Sequence, residues 1–197
     1  MLKAMLFDVD GVLAVSEPWK NKLEREHSIS SEMTRMFYRE GTFSALVGKA
    51  DLKEEIAPYL PQWGWPHSVD DFLDYWFSAE DHRNEPLLAF IQQQRQKGIP
   101  CYLATMQEQY RTTYILEQMG FASQFDGMFS SCTIGHPKHE PAFFQHILRK
   151  LAPIQANEIL FWDDTPRNVA IAREAGIHAE LYTEFADFQE MMRAYIL

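Results

Sequence analysis

Cysteine is scarce in this 197-residue chain: there are two, Cys101 and Cys132, each in or beside an apolar, strand-like run. Two thiols so placed do not make a disulfide framework or a thiol-rich zinc set. They read as free buried side chains in a reducing cytoplasm. Positive charge is also in short supply. Lys and Arg total 18 against 28 Asp and Glu, a formal net charge of −10. That balance argues against a nucleic-acid partner or an acidic membrane surface, both of which select a basic face. No apolar run is long enough to span a bilayer. The opening residues, MLKAMLFDV, enter a strand pattern at once, without the long apolar segment and small-residue cleavage site of a signal peptide. The expected location is therefore cytoplasmic. What the chain does have is a hydrophobic content of 46%, enough for one core domain with a modest insertion.

The stretch AMLFDVDGVL, residues 4–13, runs from apolar residues into Asp8, Asp10 and Gly11. It reads as a buried strand. Strand alternation, if it persisted, would aim Asp8 and Asp10 the same way. Residues 16–83 then lack clear strands. PWKNKLEREH, SSEMTRMFYRE, DLKEEIAPYL and SVDDFLDYWF each have helical spacing, the last with Ser68 and Asp71 as a capping-box start. Pro61, Gly64 and Pro66 interrupt the segment. Its tryptophans, Trp19, Trp63, Trp65 and Trp76, read as core, with Trp63 and Trp65 placed nearest to any pocket by their turn.

From Asn84 onward helix and strand alternate. EPLLAFIQQQRQ, EQYRTTYILEQM, PAFFQHILRKL, a helix starting at Pro166 with Thr165 as its cap, and EFADFQEMMRAY read as helices. IPCYLAT, DGMFSS, EILFW and HAELYT read as strands. Such alternation implies an α/β fold, a parallel sheet with helices on both faces. Ligands in these sheets lie beyond the carboxyl ends of the strands. There the sequence places Asp8 and Asp10, then Thr105, then Asp163 and Asp164, with Lys138 in the loop IGHPKHEP. Four carboxylates in one cleft would repel, and a hard divalent cation such as magnesium relieves that conflict with oxygen donors alone. A lysine and a hydroxyl beside them suit a phosphoryl group.

DVDG (residues 8–11), Thr105 after an apolar strand, Lys138 in GHPKHEP and FWDDTPRN (residues 161–168) together resemble the four ordered motifs of the haloacid dehalogenase-like superfamily. The resemblance covers a Rossmann-like core, residues 1–15 and 84–197, and residues 16–83 resemble that superfamily's small helical cap. It implies a magnesium-dependent phosphatase acting on a small phosphorylated metabolite. Asp8 would be the nucleophile that forms an aspartyl-phosphate. Asp10 would be the general acid and then the base. Mg²⁺ would be held by Asp8, the Asp10 backbone carbonyl and Asp164, with Asp163 a second ligand or its support. Thr105 and its neighbour Met106 would hold phosphoryl oxygens, and Lys138 would offset their charge and that of Asp8.

Three positions depart from the family pattern. Met106 stands where asparagine is common, His139 where proline is usual and Asn168 where many members have aspartate. His136 and His139 receive no role. The same scaffold also supports phosphomutation, which uses all four motifs, and dehalogenation, which needs the nucleophile but not Asp10. A non-catalytic binding protein of this fold would not need Asp8 and Lys138, and both are present.

Overall fold

The computed structural model describes residues 1–40 and 42–196. Five parallel strands form one sheet: β1 (Ala4–Phe7), β2 (Cys101–Thr105), β3 (Met128–Ser130), β4 (Ile159–Asp163) and β5 (His178–Leu181). Their spatial order is β3-β2-β1-β4-β5. β1 is central, with Met5 opposite Cys101 on one side and Leu160 on the other. A central strand buried on both faces has to be apolar throughout, and AMLF is buried at every position.

The two sheet faces carry separate cores. On one, Met5, Phe7, Leu160 and Trp162 pack with Leu87, Ile91 and Phe188. On the other, Ala4, Leu6 and Phe161 pack with Phe144, Ile147 and Ala172. Each fully buried large apolar side chain contributes about 1.5–3 kcal/mol.

The insert between β1 and the next core helix is helical: α1 (Trp19–His27), α2 (Ser31–Glu40), α3 (Thr42–Leu46), α4 (Leu52–Ile56), α5 (Leu60–Trp63) and α6 (Val69–Ala79). The single helix expected over DLKEEIAPYL is two, α4 and α5, separated at Pro58. Proline lacks the N–H and its ring clashes with the preceding turn. Ser68 and Asp71 form the expected capping box at the start of α6. The insert has its own core, in which Trp63 and Trp65 are buried alongside Phe37 and Phe72. The chain leaves the sheet and returns to it at one place. Val15 N–H donates to His82 O (2.9 Å) and Asn84 N–H to Leu13 O (2.8 Å).

The remaining helices are α7 (Glu85–Gln96), α8 (Gln109–Glu117), α9 (Phe121–Gln124), α10 (Ser131–Ile134), α11 (Pro141–Lys150), α12 (Pro166–Glu174) and α13 (Phe185–Ile196). The short helices α3, α9 and α10 had no separate signature in the pattern, because four or five residues are too few to show a helical period. Thr165 occupies the N-cap position of α12, but its side chain makes no capping bond. Its hydroxyl donates instead to Asp164 Oδ1 (3.3 Å). Of the two free cysteines, Cys101 is buried and Cys132 only half-buried.

Candidate active site

Asp8 extends the ladder by one residue past β1, its N–H donating to Trp162 O (2.9 Å). The chain then turns. Leu13 and Ala14 N–H groups both donate to Val9 O (2.8 Å each), and Gly11 takes φ +77°. Strand alternation therefore ends before Asp10, and the two carboxylates part company. Asp8 points inward, where Val9 N–H donates to its Oδ1 (2.8 Å). Asp10 turns to a different partner set: Gln107 Nε2 donates to its Oδ2 (2.5 Å) and Arg111 Nη2 lies 3.6 Å from its Oδ1.

Lys138 is only 2% exposed. Its ammonium bridges Asp8 Oδ2 (2.5 Å) and Asp163 Oδ2 (2.6 Å) and donates to Ala104 O (3.4 Å). A lysine is buried in this way only when paired. Burial pulls its pKa down, but the two carboxylates outweigh that and hold it above the ordinary lysine value. Burial pushes Asp8 up to about 7, with Asp163 and Asp10 adding to the rise and Lys138 opposing it. Asp164, half-buried, is also raised, first by burial and then by Asp163.

Asp163 is fully buried. Its Oδ1 accepts from Thr165 N–H (2.8 Å) and Asn168 Nδ2 (3.0 Å), and its Oδ2 from Lys138. Asn168, noted only as a departure in the sequence, is thus a direct support of the acidic pair. Asp8, Asp163 and Asp164 each offer a carboxylate oxygen within 4.8 Å of the others. Gly11 makes room for this: a Cβ there would collide with the Asp164 carboxylate. An oxygen-only donor set of this kind fits a hard divalent cation.

Thr105, at the end of β2, is 1% exposed, and its hydroxyl has no hydrogen-bond partner among the described residues. A buried hydroxyl without a partner is costly, and this one lines a cleft of about 470 Å³ shared with Asp8, Lys138, Asp164 and Asn168. His139 and Arg167 also border the cleft. Asp10, Met106 and Gln107 stand where it meets a second cavity of about 350 Å³ beneath the insert.

Gln107 and Arg111 were not singled out in the sequence. Arg111 is 2% exposed on α8, and its Nη1 donates to Phe77 O (2.8 Å) and its Nη2 to Glu80 O (3.3 Å), at the end of α6. A charged residue within the helical run QYRTTYILE was the only hint. The tryptophans that line the second cavity are Trp19 and Trp76, not Trp63 and Trp65. The turn at Pro61–Pro66 folds its tryptophans back into the insert core.

The haloacid dehalogenase-like hydrolase family matches residues 2–176. Among curated proteins, none matches the chain. Among solved structures, the chain is similar to a HAD family enzyme from Bacteroides thetaiotaomicron in complex with magnesium and inorganic phosphate. The TM-score is 0.80 at 20% identity, covering 97% of this chain and 99% of that one. It is similar to a HAD-like family hydrolase from Porphyromonas gingivalis, with TM-score 0.79, 18% identity and 98% of each chain covered. It is similar also to L-2-haloacid dehalogenase from Xanthobacter autotrophicus, with TM-score 0.65 and 17% identity over 98% of this chain and 83% of that one. At these identities the likeness is one of fold.

Proposed function

The chain belongs to the haloacid dehalogenase-like hydrolases, and from that premise we propose that it is a phosphatase that removes a phosphoryl group from a small metabolite with Mg²⁺ as cofactor. The observation that supports this most is the Asp8–Lys138 pair in a cleft where the buried Thr105 hydroxyl has no partner. A phosphoryl oxygen would supply that partner. Asp8 attacks phosphorus and carries the phosphoryl group as an aspartyl-phosphate. Thr105 and the backbone at Met106 hold its oxygens, and Lys138 offsets the charge. Asp10, held by Gln107 and Arg111, donates a proton to the leaving oxygen and then takes one from the attacking water.

When bound, Mg²⁺ neutralises charge on the phosphoryl oxygens and keeps Asp8 ionised. Asp8, Asp164 and the Asp10 carbonyl would hold it. Asp163, whose oxygens already accept from Thr165, Asn168 and Lys138, serves as the support that orients Lys138. Halide release would have no use for a separately held proton carrier, so Asp10 favours phosphoryl transfer over dehalogenation. Residues 16–83 act as a cap that closes the leaving-group side and excludes water.

The test is phosphate release from an aryl phosphate, with and without Mg²⁺ after chelation. Asp8→Asn should lower turnover on the order of 10⁶-fold, the scale for loss of an activated nucleophile, and leave no phosphoenzyme. Asp10→Asn should slow hydrolysis about 10²–10⁴-fold while aspartyl-phosphate accumulates on Asp8, seen by mass spectrometry after acid quench. Turnover retained by Asp8→Asn, or full activity after exhaustive chelation, would overturn the assignment.

A further inference from the structure

The cavity beneath the insert opens onto Asp10, the residue facing the leaving group, so its lining bears on which leaving group fits. Its walls are aromatic and aliphatic: Trp19, Tyr38, Trp76 and Phe77, with Leu46 and Leu52. Polar groups interrupt them, among them Lys20, Thr42, Gln107, Glu108 and Arg111, and two others bear on a ligand. The Tyr38 hydroxyl is buried and has no hydrogen-bond partner within bonding distance among the described residues. Glu80 lies in the lining, its Oε2 accepting from the Trp76 indole (3.1 Å). A carboxylate has about four acceptor sites, so this one has capacity left for a ligand donor. The Glu80 and Asp10 carboxylates both act on the Tyr38 hydroxyl, which burial keeps protonated well above the ordinary tyrosine range.

The cations of the cavity are already engaged. The Nη groups of Arg111 meet the Phe77 and Glu80 backbone oxygens and Asp10. The Lys20 ammonium sits on the face of the Tyr38 ring, 3.6 Å from its centroid. The Glu108 carboxylate is committed to the Tyr110 and Arg111 N–H groups, so the cavity presents apolar area, the Glu80 and Asp10 carboxyls and one hydroxyl without a partner among the described residues.

Resting on the phosphatase reading, we propose that this cavity selects a phosphomonoester whose leaving group is an apolar ring carrying a hydrogen-bond donor, an amine or hydroxyl, at its far end. Glu80 accepts from that donor and Tyr38 completes the contact, while the ring lies among Trp19, Trp76 and Phe77. A leaving group bearing a second anion is rejected, because it would meet Glu80 and Asp10. The volume, about 350 Å³, is at the small end for ligand sites and accommodates a single substituted ring.

The experiment uses four benzyl phosphates that differ only at the para position: aminomethyl, hydroxymethyl, methyl and carboxylate. In the wild-type protein kcat/KM should fall in that order, with at least about tenfold between aminomethyl and carboxylate, the scale of a charge-assisted hydrogen bond. Glu80→Gln, nearly isosteric, should erase the advantage of aminomethyl over methyl. Tyr38→Phe should reduce the hydroxymethyl advantage severalfold. A carboxylate substrate preferred over the others, or an order unchanged in Glu80→Gln, would overturn the proposal and leave the phosphatase reading intact.

Binding is read separately from turnover by titrating tryptophan emission with the four parent benzyl alcohols. The same order, with the response lost in Trp76→Phe, supports the cavity assignment even if no phosphate is released, and in that case the phosphatase reading fails by itself. No change in emission with any alcohol would sink the ligand site.

Discussion

The strand-end cleft and the cavity under the insert are neighbours that share Asp10, and they are built from opposite materials. In the cleft, a buried ammonium links two carboxylates, and one of them, Asp163, is held further by Thr165 and Asn168. In the cavity, aromatic rings make the walls and a tyrosine hydroxyl is left without a partner. Charge held at fixed strand ends suits a step that is the same for every phosphoryl group. Rings on an inserted helical layer suit the part of the substrate that varies.

The sharpest break of this contrast is at Lys138. Lys138→Met removes the charge partner that Asp8 and Asp163 share, leaving two buried carboxyls uncompensated. It should cost about 3–5 kcal/mol of stability, measured by urea denaturation at neutral pH. Trp76→Phe across the boundary, which keeps an aromatic ring in place, should cost much less. Equal costs would erase the distinction between the two regions.

A smaller effect comes from pH. Asp8 in the cleft and Glu80 in the cavity are both raised to about 7, chiefly by burial. Between the ordinary carboxylate value, about 4, and that level, the folded protein retains protons that the unfolded chain has released. Stability without added metal should therefore fall as pH rises through this window. With Asp8 as a ligand, as proposed, Mg²⁺ would compete with its proton and should raise Tm more at pH 8 than at pH 5. In Glu80→Gln the metal-free slope should be shallower while the Mg²⁺ effect persists, which separates the two carboxyls.

The acids of the cleft could be read from the sequence because each sits at the end of an apolar strand, a local pattern that needs no knowledge of what lies opposite. The same holds for the parallel sheet and its alternating helices. Lys138 was placed by motif order alone. Nothing around it in GHPKHEP signals burial, which comes from its pairing with Asp8 and Asp163 at the ends of two strands. Gln107 and Arg111 escaped notice because their relation to Asp10 spans about a hundred residues and exists only when α8 docks beside the first loop. The tryptophans of the insert do read as core, and only the ranking of Trp63 and Trp65 as nearest to a pocket fails, for a related reason. A Pro/Gly-rich turn looks exposed from sequence, yet Trp63 and Trp65 fold inward while Trp19 and Trp76, on regular helices, face the cavity.

The smallest expected effect compares two helix starts. Ser68 in the insert makes a true capping box with Asp71, so Ser68→Ala should cost about 1 kcal/mol. Thr165 holds the same position on α12 without a capping bond, so Thr165→Ala should cost less than about 0.5 kcal/mol. Both are read from the shift in urea midpoint, and a reversed order would show that the position itself, not the side-chain bond, sets the cost.

The paired backbone bonds between Val15 and His82 and between Leu13 and Asn84 have an evolutionary corollary. Because the chain departs and returns through adjacent residues, the sheet order does not depend on what the intervening segment contains. The entropy of closing that loop grows only slowly with its length. A lineage can therefore lengthen, shorten or replace the inserted module by ordinary insertion and deletion, while the strand ends that hold Asp8 and Asp163, and the loop that holds Lys138, inherit their arrangement unchanged.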